Sequence, residues 1–179
     1  EHNLDRWLRF AQLSPAALPD LAPLDVGARV RNIAWPPLRV LPEWRADLTA
    51  WLQDRGLAER PLVLVQAGNK RTMRWWAHRQ RASNSKYWPE ERWAAVIEAL
   101  LRRDSRLVVV LLGVPAEASL NEDIARLVQS DRVVNVAREL PIPRLLALQE
   151  RALGMISVDT GPAHSAAALG CPRSPASSS

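Results

Sequence analysis

With 179 residues, 47% of them hydrophobic, the chain can bury the core of one domain with an arm attached, and is not a disordered polymer. One cysteine, Cys171, excludes an internal disulfide and a multi-cysteine metal site and suits a reducing compartment. The net charge of +5, carried mostly by arginine, favours an anionic partner without choosing among nucleotide, phosphosugar, nucleic acid and acidic membrane surface.

Leu4, Trp7, Leu8 and Ala11 recur at helical spacing, so a short helix is expected from Asn3 or Asp5 to about Ser14. Pro15, Pro19, Pro23, Pro36, Pro37 and Pro42 then rule out regular helix or central strand over residues 15–44. A further helix, roughly Glu43 to Arg55, stops at Gly56. Residues 1–55 therefore read as an interdomain helix and proline-rich linker, the remnant of a preceding domain.

From Pro61 the pattern changes. Leu62–Val65 is a buried strand run ending in Gln66-Ala67-Gly68-Asn69. Pro89-Glu90-Glu91 opens a helix that puts Trp93, Val96, Ile97, Leu100 and Leu101 on one face. Leu107–Leu112 is the next strand, closed by Gly113; helix is expected over 116–129, strand over 133–136 and helix over 143–152. Strands alternating with helices of this length predict an α/β fold, a Rossmann-like parallel sheet with helices on both faces. Ligands of such sheets sit at the carboxyl ends of the strands, where Gly68, Gly113 and Asp159 fall.

The last unit is Leu153–Gly170. Gly154–Val158 reads as a strand, Asp159-Thr160-Gly161 as a tight turn, and Pro162 as the first turn of an alanine-rich helix ended by Gly170. Such a turn aims backbone N–H groups and a positive helix end at one point, which suits a phosphate. The same local pattern also fits an ordinary strand-to-helix connection. Between the first strand and its helix, Lys70, Arg71, Arg74, Arg79, Arg81 and Lys86 interleave with Trp75, Trp76 and His78 without one acid. This insert is open to three readings: a solvated segment beside the crevice, a stacking surface for nucleic acid, or a contact to a phosphorylated acceptor or anionic membrane.

Three segments together are recognisable: Lys86-Tyr87-Trp88-Pro89-Glu90-Glu91-Arg92-Trp93, Leu111-Leu112-Gly113-Val114-Pro115-Ala116-Glu117, and Asp159-Thr160-Gly161-Pro162-Ala163-His164 with the following Ala166–Gly170. In this order and spacing they resemble the C-terminal half of glycosyltransferase family nine, the ADP-heptose:lipopolysaccharide heptosyltransferases, from about Pro61 to Pro172. The resemblance implies the GT-B architecture, with 56–172 as its Rossmann-like, nucleotide-sugar-binding C-terminal domain. It implies Lys86, Asp159 and His164 as catalytic residues, and Gly68, Lys86, Gly113, Glu117, Asp159, Thr160, Gly161 and His164 as donor-binding residues. Lys86 would place a charge on the donor diphosphate, and Glu117 would accept hydrogen bonds from the ribose hydroxyls. Thr160 and Gly161 would offer N–H groups to the diphosphate, Asp159 would orient that turn or meet the sugar, and His164 would stand near the leaving group.

The implied activity is inverting, metal-independent sugar transfer from an ADP-heptose-like donor to a lipopolysaccharide core or related glycan, without a cofactor. The implied setting is cytoplasmic, peripheral at the inner membrane surface, with an anionic glycolipid acceptor and no nucleic acid. The general base is expected in the N-terminal domain of such enzymes. Non-catalytic binding of a nucleotide or anionic glycan, or nucleic-acid binding through residues 70–86, are the competing readings. Residues 173–179, Arg-Ser-Pro-Ala-Ser-Ser-Ser, read as a disordered polar tail where the family continues into another strand. On this reading the chain is a truncated, marginally stable fragment, inactive alone, with the sheet edge beside Met155 open or irregularly covered.

Overall fold

The computed structural model describes residues 38–69 and 87–175, with backbone only at 173–175. Helix α1 spans Pro42–Asp54 and precedes strand β1, Leu62–Gln66. Helix α2 (Glu90–Arg103), strand β2 (Val108–Leu111) and a single 3₁₀ turn, Pro115–Glu117, follow. Then come helix α3 (Ala118–Val128), strand β3 (Val133–Asn135), helix α4 (Ile142–Arg151), strand β4 (Gly154–Ser157), helix α5 (Gly161–Ala168) and strand β5 (Arg173–Pro175). The helix expected from Asn3 or Asp5 to about Ser14, the proline-rich stretch up to Pro37 and the basic insert lie outside the described residues.

The five strands pair in parallel in the order β3-β2-β1-β4-β5. This is the doubly wound order, and the chain reverses its direction of travel between β1 and β4. Alternation along the strands feeds two cores. Leu62, Leu64, Val108, Val110 and Met155 pack with α1, α4 and α5 on one face. Val65, Val109 and Leu111 pack on the other face with Trp93, Ile97 and Leu101 of α2 and with Leu120 and Ile124 of α3. The expected α/β architecture is therefore the observed one.

Two helix ends are set by glycine. Gly56 and Gly170 take positive φ, +64° and +76°. In each case the next amide bonds five residues back, Leu57 to the Leu52 carbonyl at 2.8 Å and Cys171 to that of Ala166 at 2.9 Å. These paired bonds close the helix ends without the Cβ penalty of other residues.

Two expectations need correction. The helix read as part of a 1–55 linker belongs to the domain: Leu48, Trp51 and Leu52 form a buried stripe within the core shared with α4. The apolar spacing i, i+3, i+4 gives α1 a face that only packing can hide. Outside that stripe, Arg45 clasps Glu150 in a two-pronged pair (2.6 and 2.7 Å), and Arg144 clasps Asp47 at 2.7 and 2.8 Å. The Arg55 guanidinium also lies over the Trp51 ring, 4.3 Å from its centroid. The boundary therefore falls at Leu38 rather than at residue 56.

The second correction concerns the tail. Arg173–Pro175 adds a parallel strand beside β4, with Met155 opposite Arg173 and Ser157 opposite Pro175. Strand pairing is a backbone interaction, so a polar segment can supply it, and proline is tolerated at an edge. The Met155 amide bonds the Pro172 carbonyl at 2.8 Å, so the β4 edge, expected to be open or irregularly covered, carries a regular parallel strand.

If α1 is integral, truncating its 1% exposed Leu52 must cost as much as a core truncation. Leu52→Ala should lower the unfolding free energy by about 2–4 kcal/mol in urea titration. A change below about 0.5 kcal/mol would return α1 to the linker.

Candidate functional site

The loops leaving β1, β2 and β4 enclose a cavity of about 530 Å³ at the carboxyl end of the sheet. Gln66, Gly68 and Asn69 line it from β1, and Leu112, Gly113, Val114 and Glu117 from the β2 loop. Asp159, Thr160, Gly161, Pro162 and Ser165 close it at the start of α5, and Leu140, Ile142, Leu145 and Leu146 form an apolar wall at α4. It lies where the strand order reverses, the position at which such sheets bind ligands. Ile142, 71% exposed, and Val114, 44% exposed, leave unusually bare aliphatic surface at this cavity.

Glu117 is the chemical centre of the β-side wall. Its side chain is buried, yet the carboxylate has named partners: Oε2 accepts from the Val114 amide at 3.0 Å and from Gln66 Nε2 at 3.2 Å. Gln66 Nε2 also donates to the Gly68 carbonyl at 3.1 Å, tying the β1 loop to the same point. Burial pushes the Glu117 carboxyl above its ordinary value, and the bonds from Val114 and Gln66 oppose that shift. Its other oxygen, Oε1, lies so close over Gly68 that a Cβ there would stand 2.1 Å away. Gly113 is similarly close, its notional Cβ 3.0 Å from Oε2. Both strand-end glycines are thus explained by the carboxylate between them.

The β2 loop is held from behind by amides. Asn121 Nδ2 donates to the Leu112 carbonyl at 3.0 Å and to Asn135 Oδ1 at 3.1 Å. Asn135 Nδ2 donates to the Ala118 carbonyl at 3.1 Å. These bonds fix the start of α3, and with it Glu117, against the ends of β2 and β3.

Across the cavity, Thr160 precedes α5 in extended conformation, and its carbonyl accepts from the Ala163 and His164 amides at 3.1 and 3.3 Å. Its hydroxyl lies 3.2 Å from Ser157 Oγ. Asp159 Oδ1 stands 3.3 Å from His164 Nε2, with both side chains largely exposed. His164 is not among the residues lining the cavity; it meets that lining through its Nε2 beside Asp159 and its amide on the Thr160 carbonyl.

Of the residues singled out by sequence, Gly68, Gly113, Glu117, Asp159, Thr160 and Gly161 converge on one cavity. His164 stands beside it, and Lys86 lies outside the described residues. Sequence reasoning passed over Gln66, Asn69, Ser165 and the aliphatic wall. Gln66 carried a signal, as the polar residue ending an otherwise apolar strand; the wall carried none distinct from core. Among the described residues, no group of three His, Cys, Asp or Glu side chains could hold a metal ion.

The heptosyltransferase model of glycosyltransferase family 9 matches residues 51–173. The chain belongs to glycosyltransferase family 9. No curated protein matches it in sequence. Among solved structures, a family 9 glycosyltransferase from Veillonella parvula is similar at 20% identity and TM-score 0.64, over 78% of this chain and 36% of that one. ADP-heptose lipopolysaccharide heptosyltransferase II of E. coli is similar at 21% identity and TM-score 0.63, over 81% and 40%. E. coli heptosyltransferase WaaC, solved with ADP-2-deoxy-2-fluoro heptose, is similar at 24% identity and TM-score 0.50, over 65% and 32%. This family 9 chain thus shares their Rossmann-like fold while spanning about a third to two fifths of their lengths.

A carboxyl pushed up by burial favours the folded state most when protonated. Its contribution is full below the ordinary value near 4.5 and is lost as pH rises through the folded value. Glu117→Gln, permanently neutral, should therefore melt higher than the parent at pH 7. That advantage should shrink as pH falls towards about 4.5; an advantage independent of pH in thermal melts would exclude this origin. Gly68→Ala should cost about 1–3 kcal/mol by driving the new methyl into Oε1, and almost nothing in a Glu117→Ala background.

Proposed function

We propose that this family 9 chain is the donor-binding half of a glycosyltransferase, holding a nucleoside-diphosphate sugar of the ADP-heptose kind. The observation carrying the proposal is the pairing, in one cavity, of the Glu117 carboxylate with the first turn of α5 and an aliphatic wall. Each suits one part of such a donor. The Leu140–Leu146 wall offers apolar surface to a planar base. Glu117 Oε1, with Oε2 anchored, can accept from the vicinal hydroxyls of a ribose. The Thr160–Gly161 turn offers a positive helix end to the diphosphate. Lys86, as the motif lysine, would add a point charge there.

In the transfer step an acceptor hydroxyl attacks the anomeric carbon from the face opposite the nucleotide, inverting its configuration. A new carbon–oxygen bond forms, and the bond from the anomeric carbon to the phosphate oxygen breaks. The hydroxyl proton passes to a base supplied by the acceptor-binding domain, and the bonding electron pair stays on the departing diphosphate. The helix end and Lys86 stabilise that growing charge, so catalysis here is electrostatic and needs no metal ion. Asp159 would position the sugar or the turn, and His164 would act through Asp159. The acceptor would be a lipopolysaccharide core or a related anionic glycan at the cytoplasmic membrane surface, where the net charge of +5 favours peripheral contact. No helix among the described residues is long and apolar enough to cross a membrane.

Calorimetry with ADP and adenosine tests this reading. The parent chain should bind ADP more tightly than adenosine. Lys86→Ala should weaken ADP about tenfold or more while leaving adenosine almost unchanged. Equal losses for both ligands would make Lys86 structural, and no preference for ADP in the parent would overturn the donor assignment. With donor and glycan acceptor supplied, this chain alone should give no turnover.

A further inference from the structure

Gln149 sits fully buried in α4 at 0% exposure, beside the apolar Leu146, Ala147 and Leu148. Both ends of its amide are spent on the first turn of α5. Nε2 donates to the Pro162 carbonyl at 2.8 Å, and Oε1 accepts from Ser165 Oγ at 2.8 Å. The Pro162 carbonyl also lies 3.0 Å from Ser165 Oγ, whose single proton is shared between it and Gln149 Oε1, so the three groups close a ring. An aliphatic side chain would fill this place without the desolvation that a buried amide incurs. What the amide adds is direction.

We propose that Gln149 is a positioning residue for the diphosphate-facing turn, a role that rests on the donor reading above. Helix α5 is eight residues long, begins without a side-chain cap from Thr160, and has a proline at its second position. Its own sequence therefore does little to fix where the Thr160 and Gly161 amides point. The clamp ties that turn to α4, which carries Ile142, Leu145 and Leu146 of the aliphatic wall. Gln149 is not among the residues lining the cavity; it sets the spacing between wall and turn that a nucleoside diphosphate must bridge. Small errors in such spacing are costly where charge is met by fixed dipoles.

The test is ADP and adenosine calorimetry on the full chain carrying Gln149→Met or Gln149→Leu, at a temperature where thermal melts show each folded. Methionine and leucine, both apolar and close to glutamine in volume, each remove both bonds. In both variants the ADP affinity should fall about tenfold, with adenosine changed less than about twofold. Unchanged ADP binding, or equal losses for ADP and adenosine, would overturn the positioning role while leaving the donor reading intact. A parent chain without any preference for ADP would overturn both. If neither variant folds, Gln149 holds the domain together rather than its site, and the proposal fails.

Discussion

A carboxylate removed from water has to be met by donors, and the site of this protein is arranged around that requirement at Glu117. The donors come from two different strand ends: Gln66 closes β1, and the Val114 amide lies just beyond β2. They can meet only because β1 and β2 are adjacent in parallel register, with Val65 opposite Leu111. The close approach then dictates glycine at 68 and leaves no comfortable space for a side chain at 113. Sheet order, strand register, the two glycines and the 3₁₀ turn ending at Glu117 are thus parts of one constraint.

Neutral amides do most of the aiming around that carboxylate. Gln66, Asn121 and Gln149 are all buried, and each joins two different elements of the chain. An amide can donate and accept without the large desolvation cost of an ion, so it suits the interior behind a site. The ion pairs instead lie outside, where Arg45–Glu150 and Arg144–Asp47 bracket α1 against α4 in solvent. Exposed pairs of that kind add little stability individually, but two forked contacts, near the two ends of α4 and two residues apart on α1, favour one alignment.

The sheet was readable from sequence because its strands are short apolar runs and its helices carry their own start and stop residues. Pro89 before Glu90, Gly56 and Gly170 each mark an end that the structure keeps. The three motifs placed Glu117 and the Asp159–Gly161 turn at one cavity because each follows a strand end, a position that parallel topology brings together. What stayed hidden depended on partners distant in sequence. The Leu48–Leu52 stripe of α1 has the same spacing whether it meets a preceding domain or α4, and proline density upstream argued for a linker. Strand β5 lacks an apolar pattern because its place is secured by backbone pairing to β4. Nothing in the sequence marks Gln149, although it is the most deeply buried polar group of that helix.

These misses share a physical cause that bears on the division of the cavity. Local signals report what a segment needs, a face to bury or an end to cap, but not which other segment meets the need. Helix α4 shows the consequence. One end of it presents Ile142, Leu145 and Leu146 to the cavity, its outer surface is clasped by α1, and Gln149 reaches from it into α5. A displacement of α1 would therefore be felt first by α4 and then, through Gln149, by the turn at Gly161. The Glu117 wall belongs to the other side of the strand-order reversal and is braced separately by Asn121 and Asn135. The cavity thus has two independently supported walls, and the sheet between β1 and β4 is the common base that keeps them facing each other.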